Sequence, residues 1–159
     1  MVAELQPERE SLTMESVRRQ RAGLHRAMVR LEDVLARPAV GRVADWGHDV
    51  AEATRGLRQA WSIHTEVTEG RDGLFEEILR EAPRLANAVK RLQREHGEVC
   101  TAVDASLANL DPPPADDGSE WIEERRDELG RVLGRISRHR QRGSDLTYQA
   151  YEVEIGGES

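Results

Sequence analysis

Residues 85–103 read LANAVKRLQREHGEVCTAV, and the apolar positions of that stretch decide the fold. Leu85, Val89, Leu92, His96, Val99 and Val103 recur at alternating fours and threes, which places them on one stripe of an α-helix. Within that stripe a histidine stands where a leucine would normally go. The signature recurs on both sides. Before it runs Trp46, Val50, Ala53, Leu57, Ala60, His64, Val67; after it runs Leu129, Val132, Ile136, His139. The earliest stripe is Val17, Leu24, Met28, Leu31, Leu35, with His25 at its border. Four amphipathic helices with short connections predict an all-α, up-down-up-down four-helix bundle.

Turn-forming residues set the boundaries. The polar opening around Pro7 predicts a disordered segment over residues 1–12, followed by the bundle over 13–145. Pro38 and Gly41 mark the first turn, and Gly70 and Gly73 interrupt the second helix. Leu74, Phe75, Ile78 and Leu79 suggest a short helix, and Pro83 stands in the first turn of the third long one. Residues 111–118, DPPPADDG, are a loop, and Gly143 is expected to stop the fourth helix. In the tail, 146–159, Tyr151, Val153 and Ile155 alternate with Glu152 and Glu154. That period of two predicts an extended segment, placed to dock on the bundle or on a second copy as a homodimer.

At 159 residues the chain fits one domain, and 33% charged against 4% aromatic residues suits an aliphatic core with solvated outer faces. A net charge of −7 argues against nucleic acid as a partner. The basic run Arg131, Arg135, Arg138, Arg140, Arg142 reads as cations at the negative end of the fourth helix, with Glu123, Glu124, Asp127 and Glu128 at its other end. No apolar run reaches membrane-spanning length, so no membrane partner is expected. The opening MVAELQPERESL has neither the basic start nor the apolar core of a signal peptide, and the lone Cys100 has no internal disulfide partner. Both point to the cytoplasm. No nucleophile elbow, phosphate loop or Cys-x-x-Cys pair is present, so catalysis is not expected.

The seam histidines remain to be explained. One inward imidazole on each helix is how bundles build metal sites. The ordered set His25, His64, His96, His139, with Leu74-Phe75-Glu76-Glu77 after the second and Glu95 before the third, resembles the hemerythrin-like (HHE cation-binding) bundles over about residues 14–145. That resemblance implies a pair of non-haem irons held by imidazoles and bridging carboxylates, with oxygen or another small ligand in an open position. It also implies a role in oxygen, redox or iron sensing or storage. The family places its bridging acid one helical turn after a histidine. Here Thr68 stands four after His64 and Gly143 four after His139, leaving Glu69 and Asp145 as shifted candidates beside the glycines. Counting about 1.5 Å of rise per residue separates His25 from His64, and His96 from His139, by roughly 10 Å and 9 Å along the axis. That arithmetic leans against a compact four-histidine cluster. The ligand set expected from the seam positions and the resemblance is His25, His64, Glu69, His96, His139 and Asp145. The alternative is a metal-free bundle serving as an interaction or structural module.

Overall fold

Amphipathic stripes of this length can bury themselves only against one another, and the chain folds as an all-helical bundle. The computed structural model describes the backbone of residues 6–157 and the side chains of residues 15–151. Four long helices, α1 (Gln6–Ala36), α2 (Val43–Glu69), α4 (Ala86–Asn109) and α5 (Ser119–Gly157), carry the four seams. A short helix, α3 (Leu74–Glu81), and a 3-10 turn at Pro83–Leu85 join α2 to α4. No strand occurs among the described residues.

The seams meet in two apolar clusters. The larger joins Leu24, Leu31, Trp46, Leu57, Val103 and Leu129, with their seam neighbours, near the α1–α2 turn. The smaller joins Leu74, Phe75 and Ile78 of α3 to Val89, Leu92, Leu146 and Ala150. Along α4 the seam passes from Leu92 in the smaller cluster through His96 to Val99 in the larger; along α5 it passes from Ile136 through His139 to Leu146. The histidines thus form a polar layer between two dry ones. Pins hold the helices in this register: Trp61 Nε1 donates to the His96 carbonyl at 3.1 Å, and Arg58 pairs with Asp104 at 2.9 Å. Arg126 donates to the Leu35 and Arg37 carbonyls, which α1 leaves without intrahelical donors at its end.

The break after α2 falls where the glycines predict it. A Cβ on Gly73 would lie 2.7 Å from the carbonyl oxygens of both Gly70 and Val67, so only glycine fits this turn. Both ends of the chain correct the sequence reading. The tail is not extended: α5 runs through Gly143 to Gly157. Gly143 in fact occupies a seam position, and the stripe Ile136, His139, Gly143, Leu146, Ala150 keeps its alternating threes and fours. Burial of Leu146 and Ala150, 3% and 0% exposed, outweighs the roughly 1 kcal/mol that a helix-interior glycine costs. At the other end α1 begins at Gln6, with Pro7 in its first turn, so residues 6–12 are helical rather than disordered. The expected disorder of residues 1–5 lies outside the described residues, as do the side chains of Val153 and Ile155, on which the tail's alternation rested.

Candidate metal centre

Each long helix except α1 brings one imidazole to the centre of the polar layer. His64, His96 and His139 are buried, at 8%, 3% and 2% exposure. Nε2 of His139 lies 3.2 Å from Nε2 of His64 and 3.0 Å from Nε2 of His96. One ligating nitrogen from each ring falls within 4.8 Å of the other two. The outward nitrogens are held as well. His64 Nδ1 lies 2.9 Å from Gln20 Oε1 of α1, His96 Nδ1 lies 2.8 Å from Glu69 Oε1, and His139 Nδ1 lies 2.7 Å from Glu95 Oε2. Arg142 completes the last chain by donating to Glu95 Oε1 at 2.7 Å.

These partners dictate the proton positions. An ionised carboxylate only accepts, so Glu69 and Glu95 place the hydrogens of His96 and His139 on Nδ1. The two Nε2 lone pairs then face each other at 3.0 Å. Gln20 can turn its amide either way and so suits either His64 tautomer, which leaves the conflict between His96 and His139 standing. An added proton, making one of them an imidazolium, or a metal ion between the rings would relieve it. Burial works against the proton. It pushes His64 down from 6.5 to about 3, with the neighbouring histidines, Arg21 and Arg140 adding to the effect. His139 falls to about 4, burial outweighing the support of Glu95, and His96 is lowered by burial against the pull of Glu69. Burial would raise the Glu95 carboxyl, but hydrogen bonds from Arg142 and His139 hold it below its ordinary 4.5.

The donor set fits a transition metal. Neutral imidazoles suit zinc and ferrous iron, and carboxylates behind ligating histidines orient the rings and raise their basicity. Metal–nitrogen bonds of 2.0–2.1 Å put tetrahedrally arranged nitrogens about 3.3 Å apart. Two of the three separations, 3.0 and 3.2 Å, come within a few tenths of an ångström of that, and the third lies within 4.8 Å. Aromatic walls enclose the cluster: Trp61 stacks on His64 at 4.9 Å between centroids, and Phe75 lies parallel to His96 at 5.6 Å. The cluster is approached from two sides: one cavity, of about 640 Å³, reaches His96 past Thr65, Glu66 and Glu69. The other, of about 340 Å³, reaches His64 and His139 past Gln20, Arg21, Thr68 and Arg140.

Of the six residues picked from the sequence, His64, His96 and His139 converge. The other three do not join them as inward ligands. His25 is exposed, because it follows Leu24 on the flank of α1 rather than in its seam. Asp145 is exposed and accepts from Gln141 Nε2 at 3.0 Å, because α5 continues past Gly143 without the bend that would aim it inward. Glu69 reaches the site but stands on the outer nitrogen of His96. Thr68, at the position of the absent acid, is buried and returns its hydroxyl to the His64 carbonyl at 2.8 Å. The offset counted from the turns holds for His25, which stays out of the cluster, but not for His96 and His139, whose Nε2 atoms meet at 3.0 Å. Gln20 is the site residue that sequence reading passes over, and Glu95 enters there only as part of the resemblance, not as a partner of His139. Gln20 fills the seam position between Val17 and Leu24, and a polar residue there was the available signal. Compared with known proteins, the chain matches no family model, no curated protein and no solved structure.

Proposed function

We propose that this bundle is a metal-binding protein holding one divalent transition-metal ion through Nε2 of His64, His96 and His139. The observation that carries it is the pair of Nε2 lone pairs, 3.0 Å apart, on rings whose other nitrogens are committed to carboxylates. The resemblance to hemerythrin-like bundles enters through these three histidines. The pins between α2 and α4, α1 and α5, and α4 and α5 support the up-down-up-down order. A dinuclear iron centre is disfavoured, because Glu69 and Asp145 do not stand where a bridge is needed. With one ion per chain, sensing or small-ligand binding is favoured over storage.

The residues divide the work. Glu69, Glu95 and Gln20 keep the three lone pairs aimed inward, Arg142 keeps Glu95 ionised, and Trp61 and Phe75 keep bulk water off the rings. A bound ion would act as a Lewis acid toward water or a small ligand arriving through the cavity at His64 and His139. Arg21 and Arg140 line that entrance and favour anionic visitors. Metal content after anaerobic loading with Fe(II) or Zn(II) and desalting, on protein carrying no histidine tag, tests the reading. One ion per chain, lost in His139→Ala, is expected. Two irons per chain with oxo-bridged charge-transfer bands would restore the dinuclear site. No retained metal would leave the second reading, a metal-free bundle serving as a structural or interaction module.

A further inference from the structure

The basic run of α5 loses its simplest explanation once the helix is seen whole. Cations complement a helix dipole only within the last turn. Arg135, Arg138 and Arg142 lie in the interior of a helix that continues to Gly157, so no helix end lies beside them. At spacings of three and four they share one face of α5, and they meet Arg91 and Arg94 of α4 across a cleft of about 410 Å³. Glu95 and Glu98 are the carboxylates of its lining, leaving a formal surplus of three positive charges in a chain whose net charge is −7. Glu95 is already taken: it receives His139 Nδ1, Arg142 at 2.7 Å and Arg91 at 3.8 Å. Arg94, Arg135 and Arg138 form no ion pair among the described residues. Arg142 Nε is buried in the same cleft without a hydrogen-bond partner, a donor lacking its acceptor.

We infer that this cleft is a binding site for a phosphate group carried by a small soluble molecule, such as a phosphate monoester. Guanidinium forks chelate two oxygens of a tetrahedral oxyanion at once, and several around one concavity select for a dianion. The size of the cleft and the negative charge of the rest of the chain exclude a long polyanion, which needs an extended cationic track. The site borders the histidine cluster, sharing Glu95 and Arg142 with its support, but does not depend on a metal being bound there.

Calorimetric titration of the full chain with inorganic phosphate and with phenyl phosphate, against sodium chloride at matched ionic strength, tests it. Saturable binding of both phosphates is expected, weakened about tenfold or more in Arg135→Gln/Arg138→Gln. If that double variant fails to fold, Arg135→Lys/Arg138→Lys keeps the charge but not the forks and should still weaken binding severalfold. No heat beyond the chloride control, or binding indifferent to both double variants, would overturn the site. Tighter, arginine-dependent binding of duplex DNA or of vesicles containing phosphatidic acid would overturn its assignment to a small soluble ligand.

Discussion

Glu95 shows how much one side chain can settle. In the sequence it is simply the acid before His96, part of the resemblance, on a side that faces solvent or a neighbouring helix. In the fold it reaches across to α5, fixing the His139 tautomer while Arg142 holds its other oxygen. Glu95→Gln keeps an acceptor of the same shape but removes the charge that polarises the ring. Its affinity for Zn(II), measured by chelator competition, should fall about 10–100-fold with helix content unchanged. An unchanged affinity would mean that the Glu95 charge does not tune the His139 ring. Trp61 offers a direct readout, since its ring lies 4.9 Å from His64 and 5.1 Å from His139. Binding of Co(II) should quench a large part of the tryptophan emission in the wild type. The quench should nearly vanish in Trp61→Phe, which retains only Trp46 and Trp121.

The elements were legible wherever a seam ran unbroken, and illegible where one residue type carried two meanings. Helices α2 and α4 end within a few residues of their expected limits because glycine, proline and apolar spacing agree there. Gly143 misleads because glycine both stops helices and, in a packed seam, continues them at a cost. The alternation that begins at Tyr151 then weighs more than it should, although Leu146 and Ala150 extend the seam spacing past the glycine. The three converging histidines were legible for the same reason that the helices were, being seam residues. Their partners Gln20 and Glu95 were not, because a hydrogen bond across helices leaves no periodic trace. The continuity of α5 has a measurable consequence. An added Cβ at Gly143 meets no atom within 4 Å, so Gly143→Ala should stabilise the protein by about 0.5–1 kcal/mol in urea denaturation. A helix that stopped at Gly143 would lose stability instead.

At the scale of the whole molecule the polar layer makes stability depend on pH in a defined direction. The three buried imidazoles are neutral in the native protein, and burial is the chief reason each resists its proton. As pH falls through the ordinary histidine value of 6.5, the unfolded chain takes up protons that the native state refuses, so the equilibrium shifts toward unfolding. The loss continues until the native rings protonate, at about 4 for His139 and about 3 for His64. Metal-free protein should therefore keep full stability above about pH 7 and lose on the order of several kcal/mol between there and pH 4. A bound ion opposes the change, because it stabilises only the folded chain, by about 4 kcal/mol at a thousandfold excess over its dissociation constant. Protons compete for the same lone pairs, so that protection should itself fade on acidification. Thermal melts from pH 8 to pH 4, with and without Zn(II), check both slopes. The melting temperature of the metal-free chain should fall steeply below pH 6.5, and the gap between the two curves should be widest near neutrality and close toward pH 4. A metal-free curve flat across that range would mean that the three rings are not buried together in solution.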